Sequence, residues 1–262
     1  MLILLGKIPR NLPRWDLGCR MRSSALLVCL GWLAYLAASK KVEILSHTDA
    51  EQLKEVFFGG EPWLVQCASK ADLAAAAAAD GLGAHEVVEL ALPLLRESKF
   101  GLLDCARKLP SGKSTYDRFN LESSASPTLV LAANGKAPTQ ITAPMLNKYI
   151  GTSLFPTPRQ QAGALASLVR ARSEPKAYSF TKTEDVQAQC LTGKQKHCVL
   201  LLGPKEIKGE FARTVKKLMN EFRTITFATI NTDRYEFSLA KHLPAAPADG
   251  SPQILALQVA KQ

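Results

Sequence analysis

Residues 126–135 read SPTLVLAANG, an apolar strand led by a proline and followed by an Asn-Gly pair. Asn-Gly is a strong signal for a tight β-hairpin turn, because both residues adopt positive φ readily. Residues 140–142 are suited to the returning strand, and Pro144 is suited to a helix start. This stretch therefore predicts an antiparallel hairpin followed by a helix that ends near residue 154.

Upstream of the hairpin, apolar runs alternate with segments of helical spacing. Short apolar runs bounded by turn residues are typical of buried strands, whereas a 3.6-residue repeat indicates a helix. Strands alternating with helices indicate an α/β fold. The predicted strands are 42–45, 63–67 and 100–105, and the predicted helices are 50–58, 85–95 and 115–119.

The second half of the chain repeats this pattern. Ser251-Pro252-Gln-Ile mirrors Ser126-Pro127-Thr-Leu at a distance of 125 residues. This spacing is consistent with a tandem duplication. The predicted strands of the second half are 177–180, 197–202, 225–230 and 251–257, and its predicted helices are 183–190, 206–222 and 234–242.

The order of elements resembles the thioredoxin fold. The residues that carry the resemblance are Trp63-Leu-Val-Gln-Cys67, Phe100-Gly-Leu-Leu-Asp-Cys105 and the Pro127 strand with its hairpin. Two such domains behind an apolar leader look like the protein disulfide isomerase family, and also like the luminal J-domain co-chaperones with thioredoxin repeats. The chain has no His-Pro-Asp tripeptide, so it contains no J domain.

The sequence departs from this family at the catalytic position. Family enzymes carry Cys-x-x-Cys just after the second strand, at a helix N-terminus that lowers the pKa of the first thiol. The corresponding stretches here are Ala68-Ser69-Lys70-Ala71 and Gly203-Pro204-Lys205-Glu206, and the chain has no Cys-x-x-Cys anywhere. We therefore predict no catalytic residue and no dithiol exchange by the family's mechanism.

Four cysteines lie after residue 39, beyond the apolar leader of residues 1–39. Cys67 and Cys105 end predicted strands and are interpreted as lone thiols buried as small apolar side chains. Cys190 and Cys198 lie near the end of a helix and the start of a strand that are neighbours in the fold, and related domains place a structural cystine in this region. A disulfide there would contribute about 2.6 kcal/mol through loop entropy. Two free thiols remain the alternative for this pair.

The resemblance also implies that Pro127 and Pro252 are cis-prolines. In catalytic relatives this loop lines the groove where an unfolded peptide lies. The two prolines either flank a peptide-binding surface or only shape the fold.

Residues 25–38 form an uncharged apolar run of fourteen residues. This length suits the apolar region of a secretory signal peptide, roughly 7–15 residues, better than a spanning helix of about 20. Arg20 and Arg22 supply the basic flank, and Ala37 and Ser39 fit a cleavage site. The segment is predicted to be a signal peptide, with an uncleaved membrane anchor over 24–39 as the alternative.

Met21 alone would begin a compact signal peptide and is a second possible start. After Val259 the pattern lacks a strand and a closing helix, so the second domain is expected to be incomplete or the chain a fragment. The predicted organisation is leader 1–39, first domain 40–154, linker 155–177 and second domain 178–262. Within the linker, a helical stretch is expected from Gln161 to Arg172.

The net charge of +10 raises the possibility of nucleic-acid binding. Five basic residues and one acid lie in residues 1–39, and the remaining Lys and Arg are scattered without interleaved aromatics. Nucleic acid is therefore disfavoured. The four histidines lack metal-ligand spacing, and Gly112-Lys113-Ser114 lacks the earlier glycine of a phosphate loop. No metal, cofactor or phosphate site is predicted.

These observations favour a non-catalytic, two-domain thioredoxin-like α/β protein of the secretory pathway. It would bind unfolded or partner polypeptides, as a chaperone does, in the lumen or at the membrane of the endoplasmic reticulum. Two alternatives remain open: a thiol–disulfide oxidoreductase or isomerase that uses Cys67 or the Cys190/Cys198 pair, and a membrane-anchored structural subunit.

Overall fold

The computed structural model describes residues 42–78, 85–123, 127–151, 156–191, 197–203, 208–235 and 252–258. Two β-sheets organise these residues, and helices pack on both faces of each. The expectations for the leader, for Met21 and for Pro204–Glu206 lie outside the described residues, as does the predicted helix 234–242 beyond Tyr235. Within the described ranges, no helix is long and apolar enough to cross a membrane.

The first sheet has five strands in the order β1-β3-β2-β4-β5. β1 and β2 run parallel to β3, whereas β4 is antiparallel to β2 and β5 is antiparallel to β4. Parallel neighbours need long crossovers, and helices supply them. The strands are β1 Val42–Ile44, β2 Trp63–Cys67, β3 Lys99–Leu103, β4 Leu129–Ala132 and β5 Thr139–Ile141.

Helices cover both faces of this sheet. Successive strand residues point to opposite faces, so Leu64 joins one apolar cluster while Val65 joins the other. The helices are α1 Ala50–Phe58, α2 Lys70–Ala78, α3 Glu86–Ala91, α4 Thr115–Phe119, α5 Ala143–Ile150 and α6 Pro158–Ser173. α1 and α4 lie on the Val65 face, and α2, α3 and α6 lie on the Leu64 face. This strand order and layering are those of thioredoxin, as the sequence predicted.

The hairpin predicted at Asn134-Gly135 connects β4 to β5. Asn134 has φ 56° and Gly135 has φ 63°, the left-handed values that a tight turn requires. The Lys136 N–H donates to the Ala133 carbonyl at 3.1 Å and closes the turn.

The segment predicted as a linker is largely occupied by α6, which belongs to the core of the first sheet. Ala162, Leu165, Ala166 and Val169 recur at i, i+3, i+4 and i+7 and are all buried. Pro158 opens the helix, and Thr157 caps it in a capping box with Gln160. Pro158, one of the prolines of the predicted linker, therefore marks a helix start, which is an ordinary place for proline.

The second sheet repeats the arrangement with four strands in the described residues. Its order is β6-β8-β7-β9, with β6 and β7 parallel to β8 and β9 antiparallel to β7. Its strands are β6 Tyr178–Phe180, β7 His197–Gly203, β8 Thr226–Asn231 and β9 Gln253–Gln258, and its helices are α7 Thr183–Val186, which continues as a π-helical turn Gln187–Leu191, and α8 Gly209–Glu221. The chain thus carries two thioredoxin-like sheets in tandem.

Candidate functional site

The position of the family's dithiol lies between β2 and α2. In this chain Ser69 caps α2: its hydroxyl donates to Asp72 Oδ2 at 2.7 Å, and its N–H donates to the same oxygen at 3.0 Å. The Asp72 N–H donates back to Ser69 Oγ at 3.2 Å. Ser-x-x-Asp is thus a capping box in the place of Cys-x-x-Cys. These residues satisfy the helix N-terminus and offer no thiol for exchange.

The same hydrogen bonds act on the Asp72 carboxyl. The bond from the Ser69 hydroxyl, and then the bond from the Ser69 N–H, hold the pKa of Asp72 below its ordinary value. The side chain is exposed, so burial opposes this effect only weakly. The Asp72 carboxyl is therefore ionised at neutral pH and is the partner of Ser69 in the capping box. Sequence analysis named this stretch but overlooked the Ser-x-x-Asp spacing that signals the cap.

Cys67 and Cys105 form a disulfide, so the expectation of two lone thiols is corrected. Cys67 lies opposite Leu103 in the parallel pairing of β2 and β3, and two further residues bring the chain to Cys105 beside it. Cys105 is 1% exposed, whereas Cys67 is partly accessible. The bridge therefore lies at the end of the sheet where the family carries its dithiol. It joins the ends of β2 and β3, whereas the family's dithiol lies at the start of a helix.

The loop of Pro127 lies against this bridge. The Cys67 N–H donates to the Thr128 carbonyl at 2.9 Å, which extends the pairing of β2 with β4 up to the proline. In the second sheet, Pro252 lies beside Gly203, where an added Cβ would come within 3.1 Å of the proline side chain. Both prolines thus stand at the same edge of their sheets. Their cis geometry and a role in peptide binding remain predictions.

Cys190 and Cys198 also form a disulfide in the structure. Cys190 lies in the π-helical turn after α7, and Cys198 is the second residue of β7. Both are 1% exposed and belong to the apolar cluster of Phe180, Leu200 and Ile230. This disulfide is buried and structural, and a substrate does not reach it in the folded chain.

An apolar cleft that sequence analysis missed opens between α1 and α4. Its volume is about 390 Å³. The ring centroids of Phe57 and Phe119 lie 4.9 Å apart, and those of Phe58 and Phe119 lie 6.1 Å apart. Leu53 and Leu109 complete the apolar wall. The signal in the sequence was Phe58, an aromatic residue adjacent to the buried stripe of α1 and not part of it.

His47, His85 and His197 lie within the described residues, whereas His242 lies outside them. In the part of the chain that the structure describes, no three His, Cys, Asp or Glu side chains are grouped as metal ligands. Gly112 has φ 83° in an open turn, and Ser114 is the N-cap of α4 through its bond from the Asp117 N–H. This stretch is a turn that begins a helix.

Comparison with protein-family models finds no match, and comparison with curated protein sequences finds none. Among solved structures, the chain is similar to the zinc-bound form of human ERp44, with TM-score 0.33 and 15% identity over 84% of this chain and 54% of that one. It is also similar to the bb fragment of ERp72, with TM-score 0.33 and 13% identity over 82% of this chain and 89% of the fragment. A third similar structure contains the first two thioredoxin domains of Naumovozyma dairenensis Eps1p, with TM-score 0.30 and 11% identity over 82% of this chain and 86% of that one.

The chain thus spans about half the length of ERp44. The assignment of two thioredoxin-like sheets rests on their strand order and register.

Proposed function

We propose that this chain is a non-catalytic, chaperone-like protein of the endoplasmic reticulum lumen that binds unfolded or partner polypeptides. Three features support the proposal: the tandem thioredoxin-like fold, a capping box in place of the dithiol of the first sheet, and disulfides that suit an oxidising compartment.

The apolar cleft between α1 and α4 is the observation that carries the proposal. Phe58 is 37% exposed, and an aromatic side chain left in water loses the stabilisation that burial would give it. A volume of about 390 Å³ lies within the usual range for binding clefts. An aromatic or large aliphatic side chain of an unfolded segment would bury Phe58 and Phe119 together.

Three charged residues line the cleft: Glu51, Lys54 and Arg118. Arg118 lies over the rings of Phe58 and Phe119, at 5.8 Å from each centroid, while Lys54 pairs with Glu51 at 3.9 Å. Exposed pairs of this kind contribute little energy. The cleft therefore selects for apolar side chains more than for charge, as the binding of varied unfolded segments requires.

The test is a pair of matched substitutions. Phe58→Ser removes the ring from the cleft, and Phe222→Ser removes a ring of similar exposure, 44%, at the end of α8. We expect Phe58→Ser to weaken binding of a fluorescent Phe-rich peptide about tenfold, and to abolish suppression of the aggregation of denatured citrate synthase. Phe222→Ser should change neither.

Equal behaviour of the two variants, with circular dichroism showing both to be folded, would contradict the proposal. Insulin reduction tests the enzymatic alternative: activity that disappears in Cys67→Ser would replace the binding function with thiol exchange. Carbonate extraction of membranes tests the anchored alternative.

A further inference from the structure

A second cleft lies where the two sheets meet, and its rim is basic. It is bounded by the turn after β4, the C-terminal end of α6, the start of β6 and the segment after α8, and has a volume of about 190 Å³. Lys136, Arg172, Lys176 and Arg223 line it, together with the single acid Glu174. Its floor is apolar and includes Met219 and Phe227.

The carboxylate of Glu174 is already paired with a cation outside this cleft. Lys216 Nζ lies 2.6 Å from Glu174 Oε1, and this hydrogen bond lowers the pKa of Glu174 and raises the pKa of Lys216. Among the described residues, none of the four cations of the cleft lies within 4 Å of a carboxylate oxygen. Four cations therefore stand against one acid among the described residues that line the cleft.

The walls of the cleft are fixed by contacts between the two sheets. Arg223 Nη1 donates to the Ser173 carbonyl at 2.8 Å and to Asn134 Oδ1 at 3.3 Å, and Asn134 Nδ2 donates to the same carbonyl at 3.2 Å. Thr224 packs so closely that a Cβ on Gly60 would come within 3.0 Å of its methyl group. A partner thus meets a preformed surface and loses little entropy in ordering it.

The size and chemistry of the cleft indicate its ligand. A volume of about 190 Å³ is below the usual range for small-molecule sites, so it suits individual side chains. Nucleic acid is disfavoured, because the Tyr178 ring has Lys136 Nζ over it, 5.3 Å from the centroid, and is not free to stack on a base. We propose that this junction cleft binds an acidic polypeptide segment of a partner protein, with carboxylates at the four cations and an apolar residue on the floor.

This site is separate from the cleft between α1 and α4, and its test is independent of the proposed function. The probe is a fluorescent peptide of six glutamates around one leucine, titrated with the purified full chain. A peptide with glutamine in place of glutamate is the control probe. We expect binding of the acidic peptide only, weakening as NaCl rises from about 50 mM to about 500 mM, since exposed charges are screened over about a Debye length.

Lys136→Gln/Arg172→Gln/Lys176→Gln should weaken acidic-peptide binding at least about tenfold. Arg223 stays unchanged because it holds the walls together. The matched control is Lys113→Gln/Lys148→Gln/Arg213→Gln, which removes the same charge from exposed positions elsewhere and should have less than a twofold effect. The charge-reversed variant Lys136→Glu/Arg172→Glu/Lys176→Glu should instead bind a peptide of six lysines.

Equal losses in the two triple variants would overturn the proposal, because they would show only an effect of net charge. Displacement of the peptide by an equal concentration of single-stranded oligonucleotide would overturn it in favour of nucleic acid. The Phe58→Ser variant should bind the acidic peptide normally, so failure of this site and failure of the apolar cleft are distinguishable.

Discussion

The two sheets share a strand order but are cross-linked at opposite ends. In the first, the bridge lies where β2 and β3 end; in the second, it joins the start of β7 to the turn before it. The pairing registers align Leu202 and Ile230 of the second sheet with Cys67 and Leu103 of the first. The strand ends where the thioredoxin family carries its dithiol are thus cross-linked by a disulfide in the first sheet. In the second sheet the equivalent residues, Leu202 and Ile230, are apolar.

The bridges also close loops of different length, with separations of 38 and 8 residues. Loop entropy assigns about 3.9 kcal/mol to the longer loop and about 2.6 kcal/mol to the shorter. The first sheet therefore depends on its bridge more than the second does. This expected contribution to stability favours a structural role for the Cys67–Cys105 bridge.

The largest expected effect comes from removing the first bridge. Cys67→Ala/Cys105→Ala should lower the free energy of unfolding by about 4 kcal/mol, because the 38-residue loop is no longer closed in the unfolded chain. Urea unfolding under non-reducing conditions measures the change. If this loss of unfolding free energy is no greater than that of Cys190→Ala/Cys198→Ala, the two sheets do not differ in how much they depend on their bridges.

A substitution in α6 tests which sheet this helix stabilises. Leu165 is fully buried in the first cluster, so Leu165→Ala should cost about 3 kcal/mol. Hydrogen exchange should show faster opening of β2 and β4 and no change in β7. Faster exchange in β7 alone would assign α6 to the second sheet.

Removing the second bridge should have a smaller effect. Cys190→Ala/Cys198→Ala should lower the free energy of unfolding by about 2.6 kcal/mol. The loss should appear in the exchange of β7 and β8 while the first sheet stays protected. A variant as stable as the parent chain would show that the surrounding cluster of Leu200 and Ile230 suffices.

The smallest effect concerns the capping box that replaces the dithiol. Ser69→Ala should cost about 1 kcal/mol at neutral pH, because the N-terminus of α2 loses its cap. The folded-state pKa of Asp72 lies below the unfolded value, so its contribution is present above about pH 4 and is lost as pH falls through the folded value. The difference in the free energy of unfolding between the parent chain and Ser69→Ala should become smaller in acid. A difference that stays constant from pH 7 downward would show that the ionised Asp72 does not contribute to the cap.

The sheets were readable from the sequence because buried strands are contiguous apolar runs. Trp63–Gln66 and Leu129–Ala132 are buried at every position, and helix α1 has an apolar stripe of Leu53, Val56 and Phe57. The helix of α6 was predicted from Gln161 to Arg172, but its place in the core was not, since its buried residues include several alanines among Gln and Arg and nearby prolines resemble those of a linker.

The candidate sites depend on contacts that a sequence does not display. Pairing of Cys67 with Cys105 follows from the β2–β3 register, and the apolar cleft requires α1 and α4 to pack side by side. The basic cleft joins Lys136 and Arg223, which are far apart in the chain. The spacing of residues along the chain predicts neither the Cys67–Cys105 bridge nor the two clefts. It does predict the capping box, because Ser69 and Asp72 have the Ser-x-x-Asp spacing.

The position of α6 has a consequence for biosynthesis. It completes the core of the first sheet at Ser173, before any residue of the second sheet is made. At 5–20 residues per second, the ribosome needs roughly 1–3 s to extend the chain from Ser173 to Cys190. Until Cys190 is added, Cys67 and Cys105 are the only cysteines after residue 39. Vectorial synthesis therefore favours the native pairing among the three pairings that four cysteines allow.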